Sequence, residues 1–388
     1  MKVLNICLSS PFTEGYSYQD NLLSEYQAKL GHEVTVLTAT RTRDANGKIV
    51  ETSPEDKMLE NGVRLIRIKF PGKLFAFLGL YPGVKKVIEA AAPDLIFIHG
   101  LATFAPGAAV AYKQKHPQVS VVADNHQDDF NTALGRFHVR LQVSFFRAMW
   151  KKWIGAVSRV YGTTGWRADF ARQIYGIPEE KTDILVTGCT EKFTAELCSK
   201  TRREVRGELG IPGDDFVFVH GGKLNSGKRT LEVMEAFTGL KAPGAKLVLF
   251  GSVGGDIAGS FEQLLKSNSG IIHLGMLPGS QVHRYLLAAD FGLFPGGHST
   301  LWEESAGCGL PCLFRNYGGS MEHLNRNGNA VIVDDPRLPE ITQCMNRVLT
   351  DKEYYHGLLT RTRELAPEFY YGSIAEKSLE TANRDIKS

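Results

Sequence analysis

Residues 2–37 read KVLNICLSSPFTEGYSYQDNLLSEYQAKLGHEVTVL, and this stretch decides the fold. Residues 2–8 form an almost unbroken apolar run, the pattern of a strand buried on both faces of a parallel sheet. Residues 9–18 are a loop holding Pro11 and Gly15. Residues 20–30 read as a helix closed by Gly31, a C-terminal cap signal. Residues 34–37 return as a second strand. A β–α–β opening predicts a doubly wound parallel sheet, whose ligand loop lies at the carboxyl end of the first strand. Gly15 in that loop is a single glycine and a weak phosphate signal by itself.

The same logic extends along the first half. The polar stretch 40–62 reads as loop, 63–70 as a strand and 81–92 as a helix. Residues 94–99 (DLIFIH) are another buried strand, ending on His99, and 119–123 the next. Asp124-Asn125-His126-Gln127-Asp128-Asp129 follows. A histidine among carboxylates just past a strand end suits proton chemistry near neutral pH, although a satisfied structural histidine would look the same. Residues 130–154 read as one long helix carrying Arg136, Arg140, Arg147, Lys151 and Lys152 beside Phe145, Phe146, Trp150 and Trp153. Such a helix fits a core element with a solvated basic face; the alternative is weak contact with an anionic membrane. Residues 157–162, 166–175 and 183–186 read as strand, helix and strand, and 188–193 as a domain boundary.

The second half repeats the pattern. Residues 216–220 are a strand, 221–229 a Gly- and Lys-rich loop, and 230–237 a helix. Residues 246–250 are a strand followed by the glycine loop 251–255. Short strands are expected at 271–272, 291–295, 311–314 and 330–333, and helices at 281–288 and 369–382. Residues 296–311, GGHSTLWEESAGCGLP, carry the strongest site signal. Glycines allow a sharp turn, Ser299 or Thr300 can cap a helix starting near Leu301, and Glu303 and Glu304 fall in its first turn. A helix N-terminus offers free N–H groups to an anion, and a carboxylate one turn in can take a ribose hydroxyl. An ordinary glycine turn before an ordinary helix fits the same letters.

Composition bounds the rest. A chain of 388 residues with 43% apolar content has room for two domains. A net charge of +3 gives no argument for nucleic acid. Six scattered cysteines suit reduced thiols, and Cys308 with Cys312 lacks the partners of a zinc site. No signal peptide or membrane-spanning run is read, so a cytoplasmic protein without metal is expected.

Gly222-Lys223-Leu224-Asn225-Ser226-Gly227-Lys228 matches most of a phosphate-binding P-loop, and Asp334 ends a strand that could hold magnesium. Arg229 stands where a P-loop needs Ser or Thr. An NTP hydrolase or kinase is therefore the weaker alternative. Lys223 and Lys228 can instead grip a diphosphate without metal.

Taken together, these segments resemble the family-4 glycosyltransferases (glycosyl transferases group 1). The carriers are residues 30–37 (LGHEVTVL), 93–99 (PDLIFIH), the 222–228 loop, 250–252 (FGS), 273–277 (HLGML) and 304–311 (ESAGCGLP). The resemblance implies a GT-B fold: α/β, two Rossmann-like domains facing across a cleft, 1–192 and 193–368, with a final helix of about 369–388 returning to the first. It implies a UDP- or GDP-sugar donor held by the second domain and a glycan or lipid-linked sugar acceptor on the first. Glu304 would hold the ribose, and Lys223 and Lys228 the diphosphate. Gly251 and Ser252 would lie at the donor, Met276 and Leu277 would meet the base, and His298, Ser299, Thr300 and Leu301 the phosphates and sugar. Gly15 would lie near the phosphate and His126 near the reacting carbon. Tyr16, His99 and Asp128 are the acceptor-side candidates. Two departures stand out. Gly296 replaces the first Glu of the E-x7-E motif, and Lys223 replaces an Arg. The expected activity is metal-independent glycosyl transfer with retention, in polysaccharide or glycolipid synthesis, by a cytoplasmic protein that can touch the inner membrane face. A nucleotide-sugar binder without turnover is the rival.

Overall fold

The computed structural model describes residues 1–44, 47–190, 192–240 and 242–385. The chain forms two compact units, one of Met1–Val186 with the residues from Tyr371 onward, the other of Thr187–Tyr370. The changes of unit therefore fall a few residues from the sequence-based positions after 192 and 368. The last three residues of the expected final helix lie outside the described residues.

Among the described residues unit 1 holds ten strands: β1 (Lys2–Cys7), β2 (Glu33–Ala39), β3 (Arg41–Arg43), β4 (Ile49–Glu51), β5 (Glu55–Met58), β6 (Arg64–Ile68), β7 (Leu95–His99), β8 (Ser120–Asn125), β9 (Arg159–Gly162) and β10 (Thr182–Ile184). Eight make one sheet in the order β10-β9-β8-β7-β1-β2-β6-β5. All its pairings are parallel except β5 with β6. The order reverses between β1 and β7, the switch point at which such sheets bind ligands. The helix after β1 runs Gln19–Lys29, and Gly31 takes φ 87° just past its end, the left-handed residue expected of a C-terminal cap.

Both faces of this sheet are covered, which explains why β1 and β7 are mostly apolar. One face packs on the helix Phe137–Trp153 through Phe146, Trp150 and Trp153. The other packs on the last helix, Tyr371–Asp385, through Tyr371, Ile374 and Leu379. A buried polar chain ties that helix in. Asn5 donates to Gln27 Oε1 at 2.8 Å, and Gln27 Nε2 donates to Ser378 Oγ at 2.9 Å.

Unit 2 carries β11 (Phe216–Gly221), β12 (Ala245–Phe250), β13 (Ile271–His273), β14 (Phe291–Phe294), β15 (Cys312–Arg315) and β16 (Val331–Val333). All pairings are parallel, in the order β13-β12-β11-β14-β15-β16. Renumbered within the unit this is 3-2-1-4-5-6, the dinucleotide-binding order, with its switch point between β11 and β14.

Three sequence expectations need correction. The stretch 40–62 is not all loop. It holds the β3–β4 ribbon and β5, exposed edge elements whose polar residues show no buried period. The basic helix begins at Phe137, not 130, because Asp128 and Asn131 close a turn ahead of it. The helix at 301 has no hydroxyl cap. Thr300 is itself in the right-handed helical region and makes no side-chain cap bond.

Candidate functional site

In unit 1, register builds the site. Cys7 pairs with His99 across β1 and β7, and His99 with Asp124 across β7 and β8. Three side chains thus share one row at the carboxyl ends of adjacent strands. Asp124 is fully buried, and His99 Nδ1 lies 2.7 Å from its Oδ2. The N–H of Gly100 donates to the other oxygen at 3.1 Å. His126 Nε2 approaches Oδ2 at 3.2 Å from the exposed side. Asp20, from the helix after β1, stands 3.6 Å from His99 Nδ1. One carboxylate therefore anchors two imidazoles.

Burial opposes charge on His99, yet Asp124 and Asp20 raise its pKa well above the ordinary histidine value. Burial alone would raise Asp124; His99 and His126 instead hold its carboxyl far below the usual range. Burial pushes the Cys7 thiol up to about 12, so it is an inert neutral neighbour. The result is a His99 imidazolium on an Asp124 carboxylate, with His126 presented above it. His99, Asp124 and His126 also have metal-ligand spacing, as do Cys7, Asp20 and His99.

His126, Asp20, His99, Tyr81 and Gln127 line a cleft of about 450 Å³. Of the other candidates in this unit, Gly15 is exposed in the loop after β1 with φ 74°. Tyr16 packs edge-on against Tyr18. The Asp128 carboxylate receives the N–H groups of Phe130 and Asn131 and pairs with Arg167. Its hydrogen-bonding capacity serves the turn rather than the cleft.

In unit 2, the loops after β11, β12 and β14 meet at the switch point. Gly222 N donates to Phe250 O, and Leu224 N to Ser252 O. A Cβ on Gly251 would come 1.7 Å from Gly222 O; only two glycines let these turns touch. Gly297 N donates to Gly227 O at 3.0 Å. Lys228 then crosses between loops, its ammonium donating to the carbonyl of Gly297 and, at 3.0 Å, of His298. Burial lowers its pKa to about 8. Lys223 is exposed at the turn, Met276 is exposed at the end of the loop after β13, and Leu277 is half-buried beside it. Below them His220 bonds Leu293 O and Thr230, and burial lowers it to about 4. It is a neutral structural bolt.

The 301 helix places its two acids differently, since successive helical residues point about 100° apart. Glu303 is fully buried, with His298 Nε2 at 2.9 and 3.1 Å from its oxygens and His323 Nε2 at 3.5 Å. Against the effect of burial, these histidines bring its pKa down to about 2. His298, whose N–H meets the Tyr317 hydroxyl at 3.0 Å, is thus held by a buried acid. Glu304 stays partly exposed, 3.5 Å from His283 Nε2. His283 is lifted to about 10, despite burial, by Cys189 and Glu304. Ser299 is half-buried and Thr300 exposed, while Leu301 is buried.

Gly296 is a finding in itself. A Cβ there would come 2.3 Å from Lys228 Cα and 2.5 Å from Gly227 O. The position has no room for a side chain. The P-loop alternative also meets an obstacle. Asp334 follows β16, with β14 and β15 between β16 and β11. Asp334 accepts from Asn316 Nδ2 at 2.7 Å, and Arg229, standing where a P-loop has Ser or Thr, pairs with Asp335 beside it. Sequence reading passed over Asp124 and Glu303 as site residues. The cluster around His126 was a signal for the first; nothing but burial marks the second.

Two doubly wound sheets, with ligand loops at their switch points, define the GT-B class. The HepE structure from Anabaena, solved with UDP, superimposes with a TM-score of 0.69 at 16% identity, covering 99% of this chain and 100% of that one. Residues 17–188 match the glycosyl transferase 4-like domain and residues 201–365 the glycosyl transferases group 1 domain. The chain belongs to the family-4-like glycosyltransferases of the GT-B fold. It is 26% identical over 282 residues to TuaC of Bacillus subtilis, a glycosyltransferase assigned to teichuronic acid biosynthesis. It is 23% identical over 215 residues to an uncharacterized glycosyltransferase of Methanocaldococcus jannaschii. The matches take in 72% and 53% of this chain, and span 65% and 55% of those relatives.

Proposed function

We propose that this protein moves a sugar from a nucleotide-activated donor to an acceptor, with retention of configuration, in polysaccharide or glycolipid synthesis. The observation that carries the reading is Lys228, a half-buried cation spanning two glycine loops at the switch point of unit 2. A leaving diphosphate is the anion such a site suits. HepE, of the same fold, has been solved with UDP and with UDP-glucose, and TuaC is named for teichuronic acid biosynthesis. Lys223, Lys228 and the amides of 298–301 neutralise the diphosphate, Glu304 takes the ribose, and Met276 and Leu277 border the base. In unit 1 His126, backed by Asp124, orients or stabilises the reacting sugar, and the leaving phosphate takes the acceptor proton. No metal step is invoked.

Nucleotide and nucleotide-sugar titration in EDTA, read as a thermal shift, tests the donor site. A ligand selective for the native state raises the melting temperature. The expected outcome is a shift with UDP or GDP, and release of free nucleoside diphosphate from the matching sugar. A shift requiring ATP and magnesium would refute this assignment. A second reading, a nucleotide-sugar binder without turnover, draws on the closed space at Gly296; binding without nucleotide release would establish it.

Lys228→Met is expected to weaken nucleoside diphosphate binding about 10- to 100-fold, the loss of charge-assisted hydrogen bonds. The pH dependence has a defined sign. The folded pKa of about 8 lies below the ordinary 10.5, so the unfolded chain binds more protons between these values. Without ligand, stability rises with pH across that window. Affinity runs the opposite way and falls above pH 8, as the ammonium is lost. Titration calorimetry at pH 7 and pH 9 checks the affinity, and urea unfolding of the unliganded protein the stability; equal affinity in wild type and Lys228→Met removes Lys228 from the site.

A further inference from the structure

Two of the six cysteines, all free thiols, are in contact. Cys189 lies just inside unit 2, fully buried, its N–H donating to Phe369 O at 2.7 Å. Its thiol donates to the Glu304 carbonyl at 3.2 Å. The same carbonyl receives the N–H of Cys308 at 2.9 Å, where the helix Leu301–Gly307 ends. Around this shared acceptor the two thiols come within hydrogen-bonding reach of each other. Gly307 makes the approach possible, since a Cβ there would come 2.7 Å from Cys189 Sγ. His283, 3.5 Å from the Glu304 carboxylate, also contacts the Cys189 thiol. The mechanism drawn above uses neither cysteine.

These neighbours set the two thiols apart. The hydrogen bond with Cys308 and the contact with His283 lower the Cys189 thiol, against its burial. Burial raises Cys308, and it raises Cys7, Cys198, Cys312 and Cys344 likewise. The thiolate is the nucleophile, so Cys189 is the cysteine of this chain best placed to react. Cys308 is the second sulfur within its reach. A low-pKa cysteine next to a resolving one is the arrangement of a redox-active pair. Cys308, His283 and Glu304 are all partly exposed, which gives an oxidant close to water in size an approach to the pair.

We propose that Cys189 and Cys308 are a peroxide-reactive dithiol, and that their disulfide weakens nucleotide binding at Glu304. The second half of the proposal rests on the glycosyl-transfer reading; the first does not. The Cys189 thiolate attacks one peroxide oxygen, the O–O bond breaks, one water leaves and a sulfenic acid remains. The Cys308 sulfur then attacks Cys189 Sγ; the S–S bond forms, the S–O bond breaks and a second water leaves. The pair gives up two electrons and both thiol protons, and the peroxide is reduced to water. An S–S bond of about 2.05 Å is far shorter than a thiol contact, so it draws the 304–308 turn toward Cys189 and shifts the backbone that carries Glu304.

The test is treatment of the full chain with hydrogen peroxide, followed by mass spectrometry of unreduced peptides. The expected product is a Cys189–Cys308 disulfide, reversed by dithiothreitol. Cys308→Ser should instead leave a sulfenic acid at Cys189, captured by dimedone, and Cys198→Ser should form the disulfide as wild type does. UDP or GDP, whichever binds the reduced protein, should bind the oxidised protein about tenfold more weakly, the loss of one hydrogen bond to a charged group. A disulfide to Cys198, dimedone capture at another cysteine, or six free thiols after peroxide would overturn the dithiol. A disulfide that leaves nucleotide affinity unchanged would overturn its effect on the site. A protein that forms the disulfide yet binds no nucleotide in either state would refute the donor reading and leave the dithiol standing.

Discussion

Asp124→Asn is expected to cut turnover by about 10²- to 10⁴-fold, the range for losing a positioned acid–base group, and to lower stability. Asn keeps the shape but removes the charge that fixes both imidazoles. His99, 2% exposed, would then be a buried cation without its partner. Breaking a buried pair on one side costs about 3–5 kcal/mol. The pH dependence separates this from a loss of packing. Asp124 titrates below its unfolded value, so its contribution is present above about pH 4 and is lost as pH falls through the depressed native value. His99 titrates above its unfolded value, so its contribution is complete below about pH 6.5 and fades as pH rises through the elevated native value. The stability gap between wild type and variant is therefore widest between about pH 4 and 6.5 and narrower at pH 9. Urea unfolding at pH 5.5 and 9 measures this.

His126→Ala separates positioning from folding. His126 is 39% exposed, so its removal should cost turnover but little stability. The two substitutions together should slow the reaction no more than the worse single one, as expected of groups acting as a unit. Additive losses in turnover, or Asp124→Asn turnover within about threefold of wild type, would end the assignment of Asp124 as the residue positioning His126.

Gly296→Ala is expected to be among the most damaging small substitutions in unit 2. Its Cβ would meet backbone, Lys228 Cα at 2.3 Å and Gly227 O at 2.5 Å, and backbone cannot rotate away as a side-chain tip can. Overpacking of this kind costs about 1–3 kcal/mol and occasionally more. At about 2–4 °C per kcal/mol for a unit of this size, the melting temperature should fall by about 2–12 °C. Nucleotide binding should fall with it, because the clash parts the two loops that Lys228 joins. Gly296→Glu, which puts in the glutamate that the sequence resemblance implies, should behave worse. A Gly296→Glu protein with the wild-type melting temperature and tighter sugar-nucleotide binding would show that the loop opens freely and that the tight contact carries no weight.

This contrast marks where local sequence stops being informative. The apolar runs 2–8 and 94–99 announce strands covered on both faces, because a parallel sheet under two helix layers leaves no polar side. Gly31 announces a helix end, because the left-handed turn strains other residues. The loops after β1 and β11 were legible as lying at the carboxyl ends of strands for the same topological reason, and the order of the family segments identified the class.

Other features depend on partners distant in the chain. Asp124 becomes an anchor only when strand register sets it beside His99, 25 residues earlier. Glu303 and Glu304 are adjacent letters, yet one is buried between histidines and the other partly exposed, because helix rotation chooses which faces the core. Phe145 and Phe146 part in the same way, one outside and one inside. Gly296 read as a deletion of a carboxylate; the structure shows a backbone contact that admits no side chain. The sequence by itself determined the two parallel sheets, their order of loops and the family, since these follow from period and spacing along the chain. The tertiary structure alone decided which acids are anchors, which aromatics face outward and which glycine is indispensable, since these depend on groups that meet only once the sheet is wound.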